Sequence, residues 1–256
     1  MVRLSVNVNK IATLRNSRTR QPAERSAGLP SVVEAAQVCI DAGAPGITVH
    51  PRGDARHITT ADVLELAAWL EPLRERVELN IEGDPRAELV ELVERVRPHQ
   101  FTIVPVAVGE ITSSAGWAPD TDPGPLRETI ARAHAVGTRV SVFVDAELAP
   151  VSWAASLGAD RIELFTEPFA QAWARDRGQG EQRFAACVAA AEHAHGLGLG
   201  VNAGHDLDLD NLVRFRELPW LDEVSIGHAL IGRAVFVGLG VVVGEYLGVL
   251  SHPARR

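Results

Sequence analysis

Strand-like and helix-like segments alternate eight times along this chain, which predicts a single (β/α)8 TIM barrel spanning residues 1–256. Short β-branched runs bounded by Gly, Pro, Asp or Asn recur about every 32 residues. Each is followed by a longer stretch with helical periodicity. No Pro/Ser/Gly-rich linker divides the sequence. Strict alternation forces parallel strands joined by crossovers, and parallel sheets are buried on both faces, hence stretches such as Val140-Ser141-Val142-Phe143-Val144. An open doubly wound sheet is the competing arrangement; eight units in 256 residues suit the closed barrel.

The elements follow in order. Strand 4–8 leads through a basic segment to helix 31–42, with Ser31 as its N-cap and Gly43 past its end. Strand 46–50 precedes helix 61–76, capped by Thr60. Strand 77–81 precedes helix 85–96, with Asp84 as cap and Pro85 in the first turn. Strand 101–104 pairs with helix 124–136, and strand 139–144 with helix 151–157; Gly137 and Gly158 close these two helices. Strand 161–165 with helix 181–197, strand 199–202 with helix 210–217, and strand 223–226 with helix 229–250 complete the set. Segments 117–124 and 174–180 read as polar loops long enough to act as lids.

With 25 Lys+Arg against 33 Asp+Glu the net charge is −8, which argues against nucleic acid or an anionic membrane as the main partner. The longest apolar run, near 230–250, is interrupted by Arg233 and Glu245, so no membrane span is expected. Cys39 and Cys187 lie in helix-like apolar stretches and read as buried thiols, and the N-terminus reads as a strand rather than a leader; a cytoplasmic protein is expected.

In a barrel of this kind chemistry sits where strands end and βα loops begin. The strand ends deliver Asn7, Asn9 and Lys10; His50, Arg52 and His57; Asn80 and Glu82; Asp145; Glu163 and Thr166; Asn202 and His205; Gly227 and His228. Four of the nine histidines fall there, which random surface placement would not produce. A polar Asn or Thr at a barrel rim commonly satisfies backbone groups. The titratable His50, Glu82 and His205 are costly as filler and suited to proton transfer.

Two segments suit phosphate. Residues 225–233 run from strand eight directly into a helix, and Gly227 would let an anion approach free N–H groups at the helix's positive end. Arg15, Arg18 and Arg20 could close over an anionic substrate or form a solvated basic loop. The glycines at 198–204 straddle a strand instead of following one, so they are not a dinucleotide fingerprint. His193 and His195, two apart on a helix, point in different directions and cannot easily share a metal; no metal site is expected.

Taken together, segments 7–16, 46–58, 201–205 and 226–235 resemble the pyridoxine 5′-phosphate synthase family nearly end to end. The resemblance implies a (β/α)8 barrel, a homo-octamer built from dimers, no metal or organic cofactor, and small phosphorylated substrates. The implied reaction condenses 3-amino-2-oxopropyl phosphate with 1-deoxy-D-xylulose 5-phosphate. It makes His50 and Glu82 acid/base residues and His205 a proton donor, and sets Arg52 and His57 on the deoxyxylulose phosphate. Asn7, Arg18, Gly227 and His228 would hold the amino-ketone phosphate, and Thr112 would help with the sugar phosphate.

The chain departs from the family pattern mainly on the sugar side. Asn9-Lys10 stands for an Asp-His pair, Val106 for an acidic residue, Ser114-Ala115-Gly116 for Glu-Gly-Gly, Phe165 for a His and Asp206 for a Gly. Asn9, Lys10 and Asp206 remain candidate substrate-binding positions. Asp206 beside a phosphate is unfavourable unless it points away, and Lys10 either moves the site toward a more acidic partner or pairs with Glu82 or Glu163. These changes leave open a paralogue using a different carbonyl partner, or a non-catalytic phosphate-ligand binder; retention of His50, Glu82 and His205 favours turnover.

Overall fold

The computed structural model describes residues 1–18, 29–105 and 114–251. Eight parallel strands close in chain order: β1 (Arg3–Asn7), β2 (Gly46–Val49), β3 (Glu78–Gly83), β4 (Gln100–Ile103), β5 (Arg139–Val144), β6 (Arg161–Leu164), β7 (Gly200–Gly204) and β8 (Leu221–Ile226). β1 pairs with both β2 and β8, so the sheet has no edge.

Outside the barrel lie α1 (Asn9–Asn16), α2 (Val32–Asp41), α3 (Thr60–Leu70), α4 (Ala87–Val96), α5 (Pro123–Ala135), α6 (Leu148–Ser156), α7 (Glu167–Arg175), α8 (Arg177–Gly196), α9 (Leu212–Phe215), α10 (His228–Val237) and α11 (Leu239–Ser251). No helix among the described residues is long and apolar enough to cross a membrane.

Strand alternation decides what each residue faces. Leu4 and Val6 are fully buried in the apolar layer between sheet and helices. The opposite parity fills the barrel with polar side chains instead of the branched apolar residues usual for the fold. Near its base Glu78 pairs with Arg3 at 2.8 Å and with Arg139, and Arg161 donates to Asn202 at 2.8 Å. Above, Ser5, Thr48, Asn80 and Thr102 are hydrogen-bonded in series. The same parity then carries Asn7, Glu82, Glu163 and Ser225 to the C-terminal mouth.

Three helix expectations are corrected. The basic segment after β1 begins as a helix, α1, whose Arg15 is buried against Asp62 with contacts of 2.5 and 2.9 Å and is therefore not an anion clamp. The proposed lid at 174–180 is the junction of α7 and α8: Asp176 caps α8 by accepting from Gln179 N at 2.9 Å, and Gly180 gives room for Trp173. The long C-terminal helix is two, α10 and α11, broken where Gly238 takes φ +92°. N-caps shift slightly: Ser31 caps α2 as expected, Thr59 rather than Thr60 caps α3 in a box with Asp62, and Arg86 rather than Asp84 precedes α4.

Candidate active site

A cavity of about 430 Å³ opens at the C-terminal mouth. Asn7, Asn9, Lys10, His50, Arg52, His57, Glu82, His205, Asp206, Gly227 and His228 all line it, together with Thr13, Arg56 and Ser225. Of the other positions singled out from sequence, Arg18 is exposed in the turn after α1 and does not line the cavity, while Thr112, Val106 and Arg20 lie outside the described residues.

Glu82, at the end of β3, is the most enclosed carboxylate of the group, at 1% exposure. It accepts from Asn7 Nδ2 at 3.3 Å and from Ser225 Oγ at 3.4 Å. Burial, with the like charge of Glu163 added, pushes its carboxyl up to about 8. His50 Nδ1 lies 3.9 Å from Glu82 Oε2. Burial, reinforced by His57, Arg52, His205 and Arg86, holds the His50 imidazole well below the ordinary histidine range, so it is neutral at pH 7 and the contact is not an ion pair. Burial and then Arg52 and Lys10 likewise lower His57 to about 4.

His205 is the opposite case. Burial opposes its charge, yet its side-chain contact with Glu163 and the negative fields of Glu82, Glu163 and Asp206 prevail and raise it to about 9. Its Nδ1 is 3.4 Å from Glu163 Oε1, an ion contact without hydrogen-bond alignment. The ring stands edge-on to Phe143 at 5.2 Å, and Phe143 in turn packs on Phe165 at 5.5 Å, an apolar wall that keeps water from diluting the Glu163 field. His205 takes φ +61°, rare for a residue with a Cβ and a known mark of functional positions. The preceding Gly204 is obligatory: a Cβ there would lie 2.4 Å from Ser225 O and 3.2 Å from Glu163 Oε1. His50 Nε2, His57 Nδ1, His205 Nδ1 and both Glu163 oxygens are buried without a hydrogen-bond partner among the described residues. Such a concentration in and directly behind one cavity suits a polar ligand.

The first loop works on two fronts. Asn7 Oδ1 accepts from Asn9 N at 3.1 Å, and Asn9 Oδ1 accepts from His50 N at 2.8 Å, so Asn9 braces the backbone of His50. Lys10 is exposed at the rim; the carboxylates Glu82 and Glu163 contact His50 and His205 instead, and pairing of Lys10 with either is not found. Asp206 lines the cavity with His228 and is itself exposed. β8 passes through Gly227 straight into α10, as the sequence indicates, and Gly227 sits where a Cβ would be 3.0 Å from Asn7 Cβ and O. Asn80, Asn202 and Thr166, by contrast, spend their polar groups on neighbours in and around the barrel wall.

Glu163 is the residue that sequence reasoning undervalued. It was visible as a strand end, but its partner His205 follows a different strand, β7. Asn202, three before His205, is level with Glu163 in the β6–β7 register, and only that register brings the two together.

The family profile described as "Pyridoxal phosphate biosynthesis protein PdxJ" matches residues 4–252. The pyridoxine 5′-phosphate synthase of Porphyromonas gingivalis is 49% identical over 252 residues, covering 98% of this chain and all of the relative. That of Albidiferax ferrireducens is 48% identical over 256 residues, covering 98% of each chain. Among solved structures, tryptophan synthase from M. tuberculosis aligns with a TM-score of 0.63 at 12% identity over 97% of this chain and 92% of that one. Thiamine phosphate pyrophosphorylase from Pyrococcus furiosus aligns at 0.61 and 13% over 97% and 95%; at these identities both likenesses concern the barrel alone. Matched by the family profile almost from end to end, and close to half identical to full-length relatives, the chain belongs to the PdxJ family.

Proposed function

We propose that this protein is a ring-closing enzyme that condenses 3-amino-2-oxopropyl phosphate with 1-deoxy-D-xylulose 5-phosphate, giving pyridoxine 5′-phosphate, inorganic phosphate and water. The observation that carries this reading is the meeting of His50, Glu82 and His205 in one cavity of a PdxJ-family barrel. The substrate amine attacks the ketone to form an imine. Dehydration, phosphate loss and aldol-type closure then need repeated proton movements, each accelerated about 10²–10⁴-fold by a well-placed group.

Their charge states divide the work. The neutral imidazole of His50 is a base, the carboxyl of Glu82 with its raised pKa exchanges protons near neutral pH, and His205, held charged by Glu163, donates. Gly227, His228 and Asn7 would take the amino-ketone phosphate at the α10 N-terminus, and Arg18 would approach with it. Arg52, His57, Lys10 and Thr112 would serve the sugar phosphate, with Asn9 as brace and Asp206 at the rim beside His228. Lys10, whose cation neither Glu82 nor Glu163 neutralises, suits a phosphorylated sugar without any change of carbonyl partner. Relatives at 45–49% identity that bear the synthase name favour this over a paralogue or a lapsed enzyme. Family membership further supports a homo-oligomer, an octamer by resemblance, acting in the cytoplasm as one domain over 1–256.

The test is incubation with both substrates while following the ring chromophore and inorganic phosphate. Equal yields of the two support the reading. Binding of both substrates without either product would reject it.

A further inference from the structure

Two asparagines of α1, Asn9 and Asn16, hold the β2–α3 loop from both ends. At its start, Asn9 Oδ1 accepts from His50 N at 2.8 Å. At its far end, Asn16 Nδ2 donates to the carbonyls of Arg56 at 3.2 Å and His57 at 2.8 Å. Between these points the loop presents Arg52, Arg56 and His57 to the cavity, whereas Asn16 itself does not line it.

The orientation of Asn16 is forced. Its Oδ1 accepts from Arg15 Nε at 3.0 Å, and a guanidinium can only donate. Flipping the amide would set its NH2 against that donor and its oxygen against two carbonyls. Arg15 is locked in turn: its two terminal nitrogens bind Asp62 at 2.5 and 2.9 Å, with both side chains at 1% exposure. Asp62 Oδ2 also accepts from Thr59 N and Oγ1, both at 2.8 Å, which fixes the start of α3 and the exit of the same loop. A buried ion pair is weak evidence for stability as such, because well-packed apolar residues often replace one without loss. Here the pair transmits a defined geometry from α3 through α1 to the loop.

We propose that Asn16, oriented by the Arg15–Asp62 pair, is a positioning residue that sets the Arg56–His57 turn against the sugar-phosphate substrate. This rests on the function proposed above, in which that turn faces deoxyxylulose phosphate. Displacing a positioned group by about 1 Å can cost up to ~10²-fold. Because the amino-ketone phosphate is assigned to the β8–α10 side, the effect is confined to one substrate.

Steady-state kinetics of Asn16→Ala, with each substrate varied in turn, tests the proposal. The KM for deoxyxylulose phosphate should rise about 10- to 100-fold, with kcat changed less than about threefold and the KM for amino-ketone phosphate unchanged. Asn16→Asp keeps the acceptor for Arg15 and the side-chain volume but loses the donor; it should behave alike, and it carries the test if the alanine variant does not fold. Equal shifts in both KM values, or a lowered melting temperature with neither KM changed, would overturn the proposal. Turnover by the unsubstituted protein is measured alongside. Its absence would defeat the proposed function instead, and calorimetric binding of deoxyxylulose phosphate to the two variants would then decide the positioning role, equal affinity with the parent protein counting against it.

Discussion

His205 and His50 share a cavity yet sit in opposite charge states, and the difference lies in their neighbours. His50 is buried among cationic groups, whereas His205 faces Glu163, Glu82 and Asp206. If His205 donates a proton, His205→Asn should lower kcat by roughly 10²–10⁴ with little change in melting temperature. A large stability loss with near-normal turnover would show its role to be structural. At this scale the sequence was legible where one residue carries the signal: His50, Glu82 and His205 stand at strand ends and are poor filler. It was not legible where a role is relational. Asn9 looks like a ligand until its oxygen is found on His50 N, and Arg15 looks like an anion clamp until Asp62, 47 positions away, is found beneath it.

Among the elements, α10 shows sequence and structure agreeing for a physical reason. A strand that ends in glycine and turns at once into a helix leaves the first N–H groups of that helix open to an anion. The structure adds a second demand on Gly227, which makes room for Asn7, the donor to Glu82. Gly227→Ala should therefore weaken protection by inorganic phosphate in thermal shift and also lower turnover; Gly227→Val should abolish both. Unaltered phosphate protection in the valine variant would contradict this. The extra helices were the least legible elements. α1 has eight residues and a helix of that length is marginal alone, so it depends on the Arg15–Asp62 pair and on packing. In α8, Gly178 and Gly180 read as breakers, but the first lies in a capped first turn and the second admits Trp173. Strand count and order needed no such distant information, since β-branched runs and their glycine boundaries are local.

At the scale of the molecule, closing the barrel concentrates titratable groups from β2, β3, β6 and β7 in one mouth, and their shifted pKa values tie stability to pH. His57 falls from 6.5 to about 4, so its contribution is present above 6.5 and is lost as pH falls through 4. His205 rises from 6.5 to about 9, so its contribution is full below 6.5 and is lost as pH rises through 9. Glu82 rises from 4.5 to about 8; the folded state prefers its neutral form, and stability declines as pH rises from 4.5 through 8. Glu82→Gln removes that last loss, so the fall in melting temperature between pH 6 and pH 8.5 should be smaller than in the parent protein. An equal or larger fall would mean that Glu82 is already ionised at pH 6.

On the proposed mechanism Glu163, hidden behind the cavity, keeps His205 charged so that it can give up a proton during ring closure. The pH dependence of kcat/KM, measured for the parent protein and for Glu163→Gln, tests it most directly. The parent should lose activity on the alkaline side as His205 deprotonates, near pH 9, and in the variant that alkaline limb should move to lower pH as the carboxylate's field is lost. An alkaline limb at the same pH in both proteins would contradict the account.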